Sequence, residues 1–346
     1  MPPFHDYTWT EIQSQPTAWA NTLALMETQA DALGMFIRTN GAEHVVFTGC
    51  GSTYYLALAA AAALRELAGI SAIGLPASEV WLNPLGSFPG GARTLLVPVS
   101  RSGETTETLR AVEAFRGAGR GPVLTFSCYP ERPLAHMGDM NIVITAGQEQ
   151  SIAQTRAFTT LYLGTLVLAA QWAARTDLFT DLAGLPAAGQ AILRTSAALA
   201  HELGAETPID RCFFLGSGAR YGLAAELSLK MKEMSLSESE PFHFLEYRHG
   251  PQSMARPGTL IVGLLSDTAR AHEQAVLNEM RMLGARVVAV GVGADDIALA
   301  NIAEPVRGPL YLPFGQMLAY ERAIARGLTP DRPNQLNAVV KLDGGK

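Results

Sequence analysis

Hydroxyl side chains are concentrated in two glycine-containing turns of the sequence. Gly49-Cys50-Gly51-Ser52-Thr53 and Ser100-Arg101-Ser102-Gly103-Glu104-Thr105 each follow an apolar run and precede a helical pattern. At such strand-to-helix turns, small residues let the backbone approach a ligand, and unpaired N–H groups at the helix start face outward. The hydroxyls that could bind phosphate oxygens belong to Ser52, Thr53, Ser100, Ser102 and Thr105. Together with Gly51, whose backbone could approach the ligand, these hydroxyls indicate a binding site for a phosphomonoester.

The same turns do not fit a nucleotide. The Gly49-x-Gly51 pair lacks the third glycine of a dinucleotide fingerprint, and no acidic ribose-binding residue follows at the usual distance. The chain has no Gly-Lys-Ser/Thr of a P-loop. An alternative is that Ser102 or Thr105 only caps a helix. Two hydroxyl-bearing turns at equivalent sheet positions favour anion binding over capping.

A second group of residues could transfer protons. Lys230 and Glu233 are three residues apart on one predicted helix and therefore share a face, and His249 follows in a predicted turn. A carboxylate near a lysine and a histidine can move protons near neutral pH. The alternatives are a surface ion pair and a structural histidine. A metal site from His243, Glu246 and His249 is conceivable, but it lacks a standard ligand spacing.

The chain resembles itself at a constant offset, since residues 49–84 align with 216–251 without a gap. The identical positions are Gly49, Gly51, Tyr54, Leu56, Ala57, Glu66, Glu79 and Pro84, which recur as Gly216, Gly218, Tyr221, Leu223, Ala224, Glu233, Glu246 and Pro251. They keep one order of strand, turn and helix, which indicates a duplicated unit. The match of Glu66 with Glu233, and of Glu79 with Glu246, leaves open that these glutamates serve the fold.

The composition and net charge of the chain bear on its binding partners and on its location in the cell. The net charge of −6 and the absence of a Lys/Arg cluster argue against nucleic-acid and anionic-membrane partners. No secretory signal and no apolar run of membrane-spanning length is visible. Cys50, Cys128 and Cys212 lie in or beside apolar runs and are expected to be buried free thiols. We therefore expect a cytoplasmic protein.

Strand and helix patterns alternate along the chain. Strands are predicted at 44–48, 71–75, 94–99, 123–127, 141–145, 212–215, 259–265, 286–290 and 309–312. Helices are predicted within 8–38, up to 67, and at 78–82, 104–116, 152–174, 190–203, 220–235, 271–283 and 316–326. This alternation predicts an α/β protein with two tandem doubly wound, flavodoxin-like parallel sheets. The predicted parts are a helical segment (1–40), a first domain (41–180), a second domain (190–328) and a tail (329–346), with Asp177–Gly189 as linker.

These motifs together resemble the sugar-isomerase (SIS) family, and most closely the isomerase half of the glutamine–fructose-6-phosphate amidotransferases. Further matching landmarks are Ala77-Ser78-Glu79, Ala157-Phe158-Thr159-Thr160, Leu229-Lys230-Met231-Lys232-Glu233, Glu246-x-x-His249-Gly250-Pro251 and Asp331-x-Pro333. The resemblance implies a phosphate cradle at Thr53, Ser100, Arg101, Ser102 and Thr105, where Arg101 replaces a glutamine. It implies that Glu233 passes a proton between C1 and C2, with Lys230 beside it. It also implies a homodimer in which His249 assists ring opening in the neighbouring subunit's site.

Two departures from the amidotransferases bear on the reaction. Pro2 follows Met1, where those enzymes have a nucleophilic cysteine and a glutaminase half, and Ala338 aligns with their Schiff-base lysine. Lys341 lies nearby in another register. An amino-sugar phosphate brings its own nitrogen, so both departures favour deamination.

We therefore expect conversion of glucosamine 6-phosphate to fructose 6-phosphate and ammonia, without cofactor or metal. The alternatives are another aldose–ketose phosphosugar isomerase, a fructosamine-phosphate deglycase, and a non-catalytic sugar-phosphate sensor. Ile152 and Ala338 are expected to touch the sugar, from the 148–154 loop and from the tail. The sugar epimer and the N-substituent are left open by the sequence.

Overall fold

The computed structural model describes residues 6–88 and 90–342, which form two compact units. The first unit comprises residues 17–149, 156–183 and 337–342, and the second comprises residues 6–16, 150–155 and 184–336. Each unit is built around one parallel sheet of five strands. The domain boundaries predicted from the sequence remain a prediction.

The first unit contains strands β1 to β5 in the spatial order β2-β1-β3-β4-β5. Their bounds are His44–Gly49 (β1), Ser71–Pro76 (β2), Thr94–Ser100 (β3), Leu124–Ser127 (β4) and Met140–Val143 (β5). The ladders are parallel, with His44 opposite both Ser71 and Thr94 at the start of β1. Every residue of β1 and β3 is buried, as expected for central strands of a sheet covered on both faces.

The second unit contains strands β6 to β10 in the order β10-β9-β8-β6-β7. Their bounds are Arg211–Leu215 (β6), Glu238–Phe242 (β7), Thr259–Leu264 (β8), Arg286–Val292 (β9) and Ile297–Leu299 (β10). Numbered within its own unit, this is the order 2-1-3-4-5, which also describes the first sheet and is the flavodoxin-like order. The predicted fold class, two doubly wound parallel sheets related by duplication, is confirmed.

Helices precede, connect and follow the strands. In chain order they are Tyr7–Gln13 (α1), Gln15–Thr28 (α2), Ala30–Thr39 (α3), Ser52–Ala68 (α4), Ala77–Leu82 (α5), Pro84–Ser87 (α6), Thr106–Gly117 (α7), Arg156–Trp172 (α8), Leu178–Ala205 (α9), Ala219–Ser235 (α10), Arg270–Met282 (α11) and Leu312–Ala325 (α12). The helix after the first strand packs against the last helix of the same unit, α4 on α8 and α10 on α12. In the second pair, a Cβ on Gly315 would lie 2.6 Å from the side chain of Leu227, so a larger residue at position 315 would require Leu227 to shift.

Most of the predicted linker Asp177–Gly189 is helical, since it lies inside α9, and the two units divide within this segment, between residues 183 and 184. Pro186 interrupts one helical hydrogen bond at a cost of about 3 kcal/mol. However, α9 buries an apolar stripe that includes Leu178, Leu182 and Leu185. Each buried leucine contributes about 2 kcal/mol, so burial outweighs the effect of the proline.

Three other local predictions need correction. The segment predicted as a strand at 309–312 is a 3-10 turn, Gly308–Tyr311, followed by α12. Pro309 and Pro313 have no N–H for a ladder, whereas prolines fit the first turn of a helix. The helix predicted from Ile152 begins at Arg156, and strands β7 and β10 are missing from the prediction.

The cysteines are free thiols, with Cys128 and Cys212 buried and Cys50 half-buried. Burial raises the pKa of Cys50 to about 11, and Thr108 offsets this only in part. Within the part of the chain that the structure describes, every helix is too short or too polar to span a bilayer.

Candidate active site

The turn after β1 presents the start of α4 at the carboxyl end of the first sheet. Gly51 precedes the helix with φ of +55° and ψ of −122°, a conformation that favours glycine. Ser52 and Thr53 are buried in the first turn. The Thr53 hydroxyl accepts a hydrogen bond from the Cys50 N–H (2.9 Å) and donates one to the Cys50 carbonyl (3.0 Å). Thr53 therefore holds the turn in shape.

The turn after β3 brings three hydroxyls together. The Oγ atoms of Ser100 and Ser102 are 3.5 Å apart, and the Thr105 Oγ1 lies 3.5 Å and 3.3 Å from them. Hydroxyl–hydroxyl hydrogen bonds are usually about 2.7–2.8 Å long, so these contacts are weak and little is lost if an anion replaces them. Thr105 precedes α7 without a side-chain hydrogen bond to it, which argues against the capping interpretation at this residue.

Arg101 lies within this hydroxyl turn, but its side chain points to a carboxylate of the same unit. Its Nη1 is 3.1 Å from Glu149 Oε2, and both side chains are buried, at 7% and 0% exposure. The other Glu149 oxygen accepts a hydrogen bond from the Ala157 N–H at the start of α8 (3.0 Å). The ion pair therefore connects the hydroxyl turn to the segment that leads into α8.

The described end of the tail lies on the same turn. Arg101 Nη2 donates to the Ala338 carbonyl (3.4 Å), and Lys341 Nζ is 3.2 Å from Glu104 Oε2. The Leu342 N–H donates to Thr106 Oγ1 (3.2 Å). Position 338 thus contributes a backbone carbonyl near Arg101, and the amine of Lys341 is paired with a carboxylate.

Ile152 lies in the second unit, in the loop before α8. Its N–H donates to the Asp331 carbonyl (3.1 Å). The preceding loop residues are held by α1, because Glu11 Oε1 accepts from the Gln150 N–H (2.5 Å) and Thr8 Oγ1 is 2.8 Å from Ser151 Oγ. The loop is therefore positioned by hydrogen bonds from both ends of the chain.

The predicted pair on α10 is a buried three-residue group. Lys230 forms ion pairs with Glu233, three residues later, and with Glu226, four residues earlier at 3.4 Å. The side chains of Lys230 and Glu226 are fully buried, whereas that of Glu233 is 20% exposed. The surface-pair alternative is therefore wrong, and Glu233 is the member of the group that reaches the surface of the unit.

The lysine of this group keeps its charge. Burial by itself would lower the pKa of Lys230, but the carboxylates of Glu226 and Glu233 outweigh it and raise the pKa above its ordinary value. Lys230 is therefore a cation at neutral pH and cannot accept a proton from a substrate. Its chemical contribution is to orient Glu233 and to supply a positive charge beside it.

His249 is placed differently from the α10 group. It follows the 3-10 turn Glu246–Arg248 and is exposed, and its N–H donates to the Glu246 carbonyl (3.0 Å). Across residues 6–88 and 90–342, no hydrogen bond or ion pair of its imidazole is found. His243 instead stacks on Tyr221, with ring centroids 4.1 Å apart. In the described residues, His243, Glu246 and His249 form no cluster suited to a metal ion.

Sequence reasoning missed the buried partners of the predicted residues. Glu226 lies four residues before Lys230, a spacing that could have been noticed. Glu149 lies 48 residues after Arg101, and no local pattern links the two.

Comparison with known proteins finds a matching domain in the first half of the chain and relatives along most of its length. Residues 40–173 match the family model described as SIS domain. Glutamine–fructose-6-phosphate aminotransferases (isomerizing) match over nearly the whole chain. The one from Leifsonia xyli subsp. xyli is 30% identical over 96% of this chain and 58% of its own length, and the one from Aeropyrum pernix is 30% identical over 96% and 57%. The chain spans about three fifths of the length of these curated relatives.

Solved structures agree with the fold. The glucosamine-6-phosphate deaminase of Thermotoga maritima has a TM-score of 0.76 at 28% identity and covers 93% of this chain and 100% of its own. The tagatose-6-phosphate ketose/aldose isomerase of Escherichia coli has a TM-score of 0.85 at 24% identity, covering 95% and 97%, which shows the fold alone. Residues 40–173 therefore match an SIS domain, and the chain is similar over nearly its whole length to the isomerizing glutamine–fructose-6-phosphate aminotransferases and to the glucosamine-6-phosphate deaminase of Thermotoga maritima.

Proposed function

We propose that this protein deaminates and isomerises glucosamine 6-phosphate to fructose 6-phosphate and ammonia. The observation that carries the proposal is the buried Glu226–Lys230–Glu233 group. It holds one partly exposed carboxylate, that of Glu233, beside a lysine that stays charged. A fixed carboxylate of this kind can remove a proton from one carbon and return it to the next.

The proposed chemistry uses side chains of this protein, the substrate and water. His249 assists ring opening, which exposes the C1 aldehyde of the sugar. Glu233 removes the proton from C2 and returns it to C1, while the C1 oxygen takes up a proton and the C2 amine releases one, so that C1 becomes an alcohol carbon and C2 an imine carbon. Water adds to the C2 imine, and the C–N bond breaks to release ammonia and the ketose. The hydroxyls of Ser100, Ser102 and Thr105 hold the phosphate, and the ammonium of Lys230 stabilises negative charge near Glu233.

Two observations favour deamination over synthesis of the amino sugar. Ala338, at the position of the Schiff-base lysine in the amidotransferases, offers only a backbone carbonyl, and the nearby Lys341 amine is paired with Glu104. The glucosamine-6-phosphate deaminase of Thermotoga maritima is similar to this chain in structure and in sequence, with a TM-score of 0.76 at 28% identity. We further propose that the protein is a homodimer. We also propose that it acts in the cytoplasm, a reducing compartment in which its three cysteines would remain free thiols.

The decisive experiment measures ammonia and fructose 6-phosphate after incubation with glucosamine 6-phosphate. We expect Glu233→Gln to lower kcat by about 10²- to 10⁴-fold, the usual contribution of a general base, with little change in affinity for the phosphosugar. Glu66→Gln is the matched control, because it changes the equivalent helix position in the other half of the duplication. It should retain full turnover.

Other outcomes separate the alternatives. Turnover of a nitrogen-free ketose phosphate, without ammonia release from any amino sugar, would identify an aldose–ketose isomerase. Activity on a fructosamine phosphate alone would identify a deglycase. Tight phosphosugar binding without any product would leave a sensor, and full activity of Glu233→Gln would remove Glu233 from the mechanism.

A further inference from the structure

The two sheets offer equivalent positions for a ligand. In each, ligands are expected beside the carboxyl ends of the two strands whose connections run in opposite directions, β1 and β3 in the first unit and β6 and β8 in the second. The first pair ends in the hydroxyl turns described above. The second pair ends in Gly216–Arg220 and in residues 265–270.

Ser266 corresponds to Ser100 in both topology and hydrogen bonding. Ser100 is the last residue of β3, the third strand of the first unit, and Ser266 follows β8, the third strand of the second unit, by two residues. Each serine hydroxyl accepts a hydrogen bond from the backbone N–H three residues later. Gly103 donates to Ser100 Oγ (3.1 Å), and Ala269 donates to Ser266 Oγ (2.9 Å). The local geometry of the anion turn is therefore present in both units.

In the second unit a carboxylate of the chain lies in this turn. Glu273 Oε2 accepts hydrogen bonds from the Ser266 N–H (2.6 Å) and the Ser266 hydroxyl (2.9 Å). Its side chain is 2% exposed, and its other oxygen is 4.0 Å from the guanidinium of Arg220. In the duplicated segment, Arg220 stands at the position of Thr53. The turn of the second unit thus holds an anion on Ser266, the counterpart of Ser100, and a cation at the position of Thr53.

The charged side chains around Arg220 and Glu273 form a network of ion pairs whose charges cancel. Arg220 pairs with Glu304 (2.5 Å), and Glu304 accepts a hydrogen bond from the Asp267 N–H (3.0 Å). Asp267 pairs with Arg307, which is fully buried (2.7 Å), and is 3.7 Å from Arg270. The three arginines balance the three carboxylates, so the filled site attracts no further anion.

A simple helix cap does not explain this arrangement. Glu273 lies in the first turn of α11, where an acidic residue is favourable, but such residues are usually exposed. Here Ser266 already binds the Ala269 N–H before α11, and the Glu273 carboxylate is enclosed beside Arg220.

We propose that Glu273 is a built-in substitute for a bound phosphate in the second unit. The chain therefore binds a phosphosugar through the Ser100 turn only, and this part rests on the proposed function. Removing the Glu273 carboxylate should open a second site for a small oxyanion, inorganic phosphate or a phosphomonoester, bound by Ser266 and Arg220.

The test uses the full chain and inorganic phosphate, measured by calorimetry and by thermal shift. In a Ser100→Ala/Ser102→Ala background, phosphate binding should be lost. Adding Glu273→Ala should restore it, with affinity about tenfold or more above that background, because a charged hydrogen-bonding partner is left free. Glu279→Ala, which removes another carboxylate from α11, is the matched control and should restore nothing.

The outcomes separate the two proposals. If the Ser100→Ala/Ser102→Ala variant still binds one phosphate, the phosphate site of the proposed function is wrong. The Glu273 proposal is then judged by whether Glu273→Ala adds a second phosphate per chain. If Glu273→Ala fails to fold, Glu273→Ser also vacates the position of the carboxylate, and phosphate should raise the melting temperature of this variant more than that of wild type. No phosphate dependence in any Glu273 variant would overturn the proposal.

Discussion

Arg101 places a buried positive charge inside a turn that is otherwise lined by hydroxyls. Glu149 neutralises this charge, and the arginine also binds the Ala338 carbonyl of the tail. Breaking a buried pair by removing one partner costs about 3–5 kcal/mol, because the remaining charge is left without a partner. The residue therefore organises its surroundings, and the phosphate contact implied by the family resemblance remains a prediction.

We expect Arg101→Gln and Glu149→Gln each to lower stability by about 3 kcal/mol, and the double variant to recover most of the loss. Differential scanning calorimetry of the three variants measures the coupling. The exposed pair Arg110–Glu113 is the control, and Arg110→Gln should cost less than about 1 kcal/mol. Additive losses in the double variant would contradict the ion pair. Phosphate affinity of Arg101→Gln tests the predicted phosphate contact separately.

At the scale of elements, α1 is fastened by the segment that follows α12. Asp331 Oδ1 accepts hydrogen bonds from the Thr8 N–H (2.8 Å) and hydroxyl (2.7 Å), and its Oδ2 accepts one from the Tyr7 N–H (3.1 Å). Helix α1 in turn holds the 150–151 loop through Glu11. One carboxylate therefore organises the first turn of a helix and, through that helix, the loop that contains Ile152.

We expect Asp331→Ala to destabilise the protein by about 1–3 kcal/mol, since buried donors of α1 lose their acceptor. This should lower the melting temperature by about 2–4 °C per kcal/mol for a unit of this size. Asp295→Ala, which changes an exposed carboxylate, should leave the melting temperature unchanged. Equal melting temperatures of the two variants would show that Asp331 does not fasten α1.

At the scale of the whole molecule, the exposed position of His249 suits a residue that acts in another subunit's site. The buried α10 group and His249 belong to the same unit, yet no hydrogen bond or ion pair between them is found in the described residues. A homodimer in which His249 crosses to the neighbouring subunit would give both residues a role in one reaction.

This arrangement predicts subunit complementation. Glu233→Gln and His249→Gln should each be nearly inactive, but a 1:1 mixture that exchanges subunits should recover about a quarter of wild-type activity. Half of the dimers would be mixed, and one of the two sites in each would hold both intact residues. Sedimentation of the mixture checks the dimer, and mixing two Glu233→Gln preparations is the control. No recovery in exchanging dimers would show that His249 acts within its own chain.

The local sequence pattern was sufficient to predict most helices and strands and the internal duplication. Alternating apolar runs and helical spacing predicted eight of the strands near their observed positions, and the repeated Gly-x-Gly turns anticipated two sheets of identical strand order. Where prediction failed, long-range packing outweighed local propensity. Burial of the α9 leucines kept a helix across Pro186, and the polar edge strand β7 forms because β6 offers it a parallel partner.

Spacing along the chain shows which residues share a helix face or a turn, and it was enough to propose Ser100, Ser102, Thr105, Lys230 and Glu233 as site residues. Spacing carries no information on whether that face is in contact with water. The charge of Lys230 depends on desolvation and on Glu226, and the orientation of Arg101 depends on Glu149, 48 residues away. Because burial strengthens electrostatic interactions and partners come from distant segments, the chemistry of these charged groups follows from packing.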